Sequence, residues 1–329
     1  MGRPGSRPAV SLTVTARLAA AAVTARPAAA LAVALAAALA LLAGCSTAHG
    51  PLEAPGGRRV IQVVAAENFW GSIAAQLGGS HVRVVSIITN PSTDPHSYEP
   101  TAADARTIAL ARLVIENGIG YDPWVARLLA ADDGVQSVLN VGSVLGVPAD
   151  GNPHRWYSPA DVRTVIARIS ADYSRLDPAD RAYFARRRTY FTTVALRTYY
   201  SLIAAIRARY AGTPVGASES IFAMLAPALG LRLITPPSFL RAISEGTEVS
   251  AADKQTIDNQ ISRRLIKIYV YNSQNVTPDV RAQVVAARAA HIPVATITET
   301  MVPAAGTYQE WQVRQLRGIR AALIAAGAR

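Results

Sequence analysis

Short apolar runs rich in β-branched residues alternate with helical patterns along two stretches of the chain. In the first stretch the runs lie at residues 60–65, 82–89, 113–116 and 135–141. In the second stretch they lie at residues 214–217, 231–235, 265–271 and 294–298. Strands that alternate with helices are typical of a parallel sheet with crossover helices. The pattern therefore predicts an α/β fold with two lobes, each a parallel sheet with flanking helices.

The segment between the two stretches carries a different pattern. Asp177 and Pro178 form a helix start, and residues 179–211 contain no glycine or proline. An α-helix of this length would extend about 50 Å. We expect one long, rigid helix that joins the lobes, and the alternative is two helices with a break near Thr192 and Thr193.

The N-terminal region contains an apolar run, followed by a segment whose composition is typical of a flexible tether. Residues 28–43 are an uninterrupted apolar run that follows several arginines and ends in Leu-Ala-Gly-Cys at Cys45. The run is short for a membrane span and suits a secretory signal, and its end looks like the lipobox of bacterial lipoproteins. An ordinary transmembrane anchor or a chance tetrapeptide are the alternatives. We expect a signal peptide at 1–45, lipidation of Cys45, and an extracytoplasmic protein anchored to the cell membrane.

The remaining boundaries follow from these patterns. We expect a flexible tether at 46–58, an N-terminal lobe at 59–177, a linking helix at 178–211 and a C-terminal lobe at 212–329. The single cysteine excludes an internal disulfide and cysteine-based zinc sites. The net charge of +11 is spread along the chain without an aromatic-interleaved basic stripe, so we expect no nucleic-acid partner, and we expect a monomer.

Two Pro-His dipeptides lie in polar loops. His96 belongs to the loop that follows the second predicted strand, and His154 lies just before a helix that begins near Pro159. A lone histidine is usually a packed or surface residue. Two histidines held by prolines, in a chain with only five, favour a metal site, because loops at the carboxyl ends of parallel strands bind ligands.

Several short segments occur in the order found in one known family. They are ENFW at 67–70, DPHSYEPT at 94–101, NPHRW at 152–156, SESIF at 218–222, EGT at 245–247 and ETM at 299–301. Together they resemble the metal-binding lipoproteins of zinc and manganese ABC importers, the cluster A-I solute-binding proteins. The resemblance implies two α/β lobes, one divalent ion bound between them, and delivery of that ion to an ABC permease. It implies His96, His154, Glu219 and Glu299 as ligands and no catalytic residue.

The resemblance leaves the metal and two ligands open. Glu219 and Glu299 could instead be carboxylates at helix starts that interact with free backbone N–H groups. A carboxylate at position 219, and the absence of histidine between Tyr98 and Asn152, favour manganese over zinc, with iron as a third choice. A metal-dependent hydrolase and a surface adhesin of the same fold are the alternative functions. A catalytic zinc needs an open water position, which four protein ligands do not leave.

Overall fold

The computed structural model describes residues 53–54, 58–132 and 134–328. The predicted signal peptide, Cys45 and most of the predicted tether lie outside the described residues. The strands are β1 Glu53–Ala54, β2 Arg58–Arg59, β3 Ile61–Glu67, β4 Val82–Ile88, β5 Leu113–Glu116, β6 Ser137–Asn140, β7 Pro214–Ala217, β8 Arg232–Leu233, β9 Tyr269–Asn272 and β10 Val294–Ile297.

Two four-stranded sheets form the framework, and every strand pair in them is parallel. The N lobe contains the sheet with strand order β4-β3-β5-β6, and the C lobe contains the sheet with order β10-β9-β7-β8. In the N lobe, Val63 pairs with both Val84 and Leu113. Strand β5 is buried along its whole length, as expected for a parallel sheet covered on both faces. The predicted fold class is confirmed. Strands β1 and β2 form a separate antiparallel pair.

Helices connect the strands in both lobes. They are α1 Asn68–Gly78, α2 Ala102–Ala109, α3 Pro123–Ala130, α4 Val141–Leu145, α5 Pro159–Leu176, α6 Arg181–Tyr190, α7 Arg197–Tyr210, α8 Ser220–Leu229, α9 Pro237–Ser244, α10 Ala251–Ser262, α11 Pro278–Ala289 and α12 Tyr308–Ala325. The sequence did not reveal α9, which has eight residues and begins at the second of two prolines. The strand predicted at residues 265–271 begins too early, because β9 starts only at Tyr269.

The segment between the lobes is helical but is not one α-helix. A 3₁₀ turn at Pro178–Asp180 leads into α6, a π-helical turn spans Phe191–Ala195, and α7 follows. The N–H of Leu196 donates to the carbonyl of Phe191, five residues back. The hydroxyls of Thr192 and Thr193 donate to carbonyls of the preceding turn, which loosens the α-helical pattern there. The chain is helical over most of the segment 179–211, as expected. The π-helical turn interrupts the α-helix at Thr192 and Thr193, where the alternative interpretation placed a break between two helices.

An aromatic layer joins the lobes behind the cleft. Phe69 of α1 stacks on Trp156 with ring centroids 3.9 Å apart, and its ring is parallel to Trp311 of α12 at 6.5 Å. The Tyr308 hydroxyl donates to the carbonyl of Trp156 at 2.6 Å. These side chains belong to one buried core that runs through both lobes. Among the described residues, no helix is both long enough and apolar enough to cross a bilayer.

Candidate metal centre

Three of the four predicted ligands meet in the cleft between the lobes. One ligand atom from each of His96, His154 and Glu299 lies within 4.8 Å of the other two. His96 lines two cavities, of about 420 and 340 Å³, the first lined also by Glu299 and the second also by His154. Each cavity is walled by loops of both lobes. The arrangement presents two ring nitrogens and a carboxylate to a space that a small ion can reach.

His154 is oriented by its own loop. It is 1% exposed, and its Nδ1 lies 2.9 Å from Oδ1 of Asn152, which also accepts the backbone N–H of His154. Because that oxygen can only accept, Nδ1 carries the ring proton and Nε2 carries the lone pair. In the described part of the chain, Nε2 has no hydrogen-bond partner. Burial lowers the pKa of His154, which keeps the ring neutral, as a metal ligand must be.

His96 lies in an exposed loop with local support. Asp94 accepts the backbone N–H of His96 at 3.0 Å and the hydroxyl of Ser97 at 2.9 Å, so the loop forms an Asx turn. The His96 ring meets the ring of Tyr121 edge to face, with centroids 4.7 Å apart. The loop is also tied to the C lobe, because Gln274 Nε2 donates to the carbonyl of Pro91. His96 is therefore the solvent-facing member of the cluster.

Glu299 follows β10 and enters the cluster from the C lobe. Its Oε1 lies 3.7 Å from His154 Nε2 and accepts the Tyr121 hydroxyl at 2.9 Å. Its Oε2 accepts from Asn272 Nδ2 at 3.4 Å. Burial alone would raise the pKa of Glu299, but hydrogen bonding, including that from the Tyr121 hydroxyl, outweighs burial and lowers it. Glu299 is thus held as a carboxylate beside the two rings.

Glu219 lies outside the three-residue cluster. It occupies the N-cap position of α8, yet its side chain makes no capping hydrogen bond, so the helix-start alternative is not what this side chain does. Its Oε1 accepts from Asn275 Nδ2 at 3.0 Å, and among the described residues its buried Oε2 has no partner. Burial and the nearby charge of Glu299 raise the pKa of Glu219 to about 8.

Sequence reasoning missed the residues that support the ligands. Tyr121, Asn272 and Asn275 hold the two carboxylates, and none of them belongs to a spacing pattern that marks a site. Asn152 was inside a quoted motif, but its role as the partner of His154 appears only in the structure. These side chains reach the predicted ligands because of how the loops fold, which the order of residues along the chain does not reveal.

The fold has two lobes, and the cleft between them holds a cluster of ring nitrogens and a carboxylate that could bind a metal ion. The model of the ZnuA family, zinc-uptake complex component A, periplasmic, matches residues 63–322, so the chain belongs to that family of periplasmic metal-binding solute-binding proteins.

Individual relatives are more distant. The chain is 28% identical over 121 residues to the iron-binding protein YfeA of Yersinia pestis, covering 35% of this chain and 39% of YfeA. It is 25% identical over 122 residues to the manganese-binding lipoprotein MntA of Halalkalibacterium halodurans, covering 36% and 40%. The chain spans about half or less of the length of the curated relatives it matches.

Solved structures share the fold. A Mn-bound S38A mutant of a periplasmic metal-binding protein from Candidatus Liberibacter asiaticus superimposes with a TM-score of 0.69. The match covers 80% of this chain and 99% of that chain, at 20% identity. At this identity the likeness establishes the two-lobed fold.

Proposed function

We propose that this protein captures one divalent transition metal ion, Mn or Zn, between its lobes and delivers it to an ABC permease. The observation that carries the proposal is the cluster of His96, His154 and Glu299, with ligand atoms within 4.8 Å of one another. The buried Nε2 of His154, which has no hydrogen-bond partner among the described residues, supports this role, because such an atom is stabilised by a cation.

The donor set favours a borderline divalent ion. Two neutral imidazoles and two carboxylates give a neutral site when a divalent ion binds. Nitrogen and oxygen donors suit Mn, Fe or Zn and disfavour Cu(I), which prefers sulfur. Glu219 completes the set in this proposal, because its buried Oε2 lies on the C-lobe side without another partner in the described chain. Its carboxylate favours Mn over Zn, with Fe as the remaining candidate.

Ligands from both lobes make metal binding a closing event. His96 and His154 belong to N-lobe loops, whereas Glu219 and Glu299 follow C-lobe strands. In the proposed division of the mature chain, a linking segment at 178–211 separates lobes at 59–177 and 212–329. Because that segment is helical and the aromatic layer packs across both lobes, we expect small tilts rather than a wide hinge motion.

The protein acts outside the cytoplasm, in this proposal, as a lipoprotein anchored through Cys45. The apolar run and the Leu-Ala-Gly-Cys end support this assignment. The relative MntA is described as a lipoprotein. Replacing Cys45 with alanine should leave an uncleaved precursor or release the protein to the medium. Normal processing and membrane retention of that variant would remove the lipid anchor from the proposal.

The decisive experiment is titration of the metal-free protein with Mn, Zn and Fe(II). Wild type should bind one ion and melt at a higher temperature when loaded, because the ion binds only the folded state. The double variant His96→Ala, His154→Ala should lose both effects.

The matched control is His291→Asn. His291 is exposed, has a φ of 55°, and precedes β10, at the opposite end of that strand from Glu299. Asparagine tolerates this backbone conformation. The control should bind as wild type does. Unchanged binding in the double variant, or no binding in wild type, would refute the proposed function.

A further inference from the structure

Tyr121 contacts the centre without being one of the predicted ligands. Its side chain is completely buried, and its hydroxyl reaches from the N lobe to Oε1 of Glu299 at 2.9 Å. Its ring packs edge to face on His96, with centroids 4.7 Å apart, and lies 6.1 Å from the ring of His154. One side chain therefore contacts ligands from both lobes.

An unusual turn places Tyr121 there. Gly118, Ile119 and Gly120 all have positive φ, of 67°, 57° and 70°. Glycine adopts this conformation freely, but a β-branched residue such as Ile119 is strained in it. Such strain persists only where the surroundings impose it, and it is found mainly at functional sites. The N–H of Tyr121 returns to the carbonyl of Gly118, which closes the turn.

Buried polar groups hold this turn in place. The carboxyl group of Asp122 accepts the backbone N–H groups of Asn117 and Gly118, both at 2.7 Å. Asn117 Nδ2 donates at 3.0 Å to the carbonyl of Pro153, the residue before His154. The turn that carries Tyr121 is thus bonded directly to the loop that carries His154.

We propose that Tyr121 is a positioning residue of the metal centre, which aligns Glu299 with the two imidazoles and thereby raises affinity and favours Zn relative to Mn. The inference rests on the proposed metal-capture function. The phenol hydroxyl of Tyr121 donates to Oε1 of the Glu299 carboxylate at 2.9 Å. With Asn272 on the other oxygen, both ends of the Glu299 carboxylate are restrained.

Fixing the orientation of a ligand before the metal binds raises the affinity for some metals more than for others. Zn usually takes four ligands in fixed tetrahedral directions, whereas Mn accepts more oxygen ligands, water included. A ligand whose orientation is fixed before binding therefore contributes more to Zn. Loss of a hydrogen-bond partner of a metal ligand usually lowers affinity by about 10- to 100-fold. We expect the loss for Zn at about tenfold, and a clearly smaller loss for Mn.

The test is Tyr121→Phe, which keeps the ring against His96 and removes only the hydroxyl. The matched control is Tyr157→Phe, because the Tyr157 hydroxyl is also buried and crosses the lobes, 2.6 Å from both the carbonyl of Thr298 and Oε1 of Gln315. In the described part of the chain, this hydroxyl makes no hydrogen bond to a predicted ligand. Zn and Mn affinities are measured by calorimetric titration of metal-free protein. The visible absorption of bound Co(II) reports the coordination geometry of each variant, and melting of the metal-free proteins reports folding.

The expected result is a lower Zn-to-Mn affinity ratio and an altered Co(II) spectrum in Tyr121→Phe alone. Unchanged affinities in this variant, while wild type binds metal, would overturn the positioning role and leave the proposed function intact. Equal losses in both variants would also overturn it, since the hydroxyl would then serve only lobe contact. Absence of metal binding by wild type would overturn the proposed function and this inference together.

Discussion

Glu219 and Glu299 occupy similar places in the C lobe but have opposite environments. Each lies two residues beyond a strand of the same sheet, Glu219 after β7 and Glu299 after β10. Glu299 has donors on both oxygens and a lowered pKa. Among the described residues, Glu219 has a hydrogen-bond donor at Oε1 only, and burial raises its pKa to about 8. Two carboxyl groups at equivalent positions in the sheet topology therefore differ in their hydrogen bonds and in their pKa.

The difference lies in what surrounds each carboxyl group before metal arrives. Glu299 is stabilised as an anion by the donors on its two oxygens, the Tyr121 hydroxyl and Asn272 Nδ2, so it is already in the form that binds a cation. Glu219 is buried near the negative charge of Glu299, so its ionised form is unfavourable. We therefore expect the loss of Glu299 to weaken metal binding more than the loss of Glu219.

The largest effect is expected from Glu299→Ala. This change removes the only carboxylate in the three-residue cluster and leaves the Tyr121 hydroxyl without its acceptor. The loss of Mn and Zn affinity should exceed about 100-fold, which is beyond the usual cost of losing a ligand's hydrogen-bond partner. Titration of metal-free protein measures it. A larger loss in Glu219→Ala than in Glu299→Ala would reverse the comparison.

A smaller but informative effect is expected from Glu219→Gln. The amide keeps the shape of the side chain, can still accept from Asn275, and has no charge to bury. The metal-free protein should therefore be as stable as wild type or more stable, while metal affinity falls by about tenfold or more. Thermal melting with and without metal checks both parts. A less stable metal-free variant with normal affinity would mean that Glu219 serves packing alone.

The next change alters selectivity rather than total affinity. Glu219→His replaces a hard oxygen donor with an imidazole nitrogen, which Zn prefers and Mn does not. The ratio of Zn to Mn affinity should rise, as measured by competition between the two metals on one protein sample. The natural comparison is Glu219→Gln, which removes the same charge without adding a nitrogen that can bind a metal ion. An unchanged ratio in Glu219→His would indicate that residue 219 does not reach the ion.

The smallest effect is expected from Asn275→Ala. Asn275 Nδ2 donates to Glu219 Oε1 and to the carbonyl of Ile243, both at 3.0 Å. Its loss should cost the metal-free protein about 1 kcal/mol, as for a typical hydrogen bond, and should reduce metal affinity by less than Glu219→Gln does. Denaturant unfolding and titration measure the two effects. An affinity loss equal to that of Glu219→Ala would show that Asn275 alone determines where Glu219 points.

The parts of the fold that follow strong local patterns could be predicted from the sequence. Strands β3, β5 and β7 are short apolar runs between helical stretches, and they lie within two residues of their predicted limits. Helix α9 could not be recognised, because a short segment after two prolines carries too little periodic pattern. The π-helical turn at Phe191–Ala195 was equally hidden, because it depends on which carbonyls the threonine hydroxyls take.

The histidine loops belong to what the sequence by itself determined. Prolines beside His96 and His154 restrict the local backbone, and His96 lies in the loop that follows a predicted strand of the parallel sheet, where such folds bind ligands. Short-range stereochemistry and the hydrophobic pattern are sufficient for both conclusions, because each depends on residues close together in the chain.

Only the tertiary structure decided the electrostatic roles of the two carboxylates and the place of Tyr121. The hydrogen bond from Tyr121 to Glu299 joins residues 178 positions apart, and that from Asn275 to Glu219 joins residues 56 apart. Burial and donor geometry set the protonation of a carboxyl group, and both arise only when distant segments pack. A carboxyl group after a strand has the same local sequence character whether it is held as an anion or buried with a raised pKa.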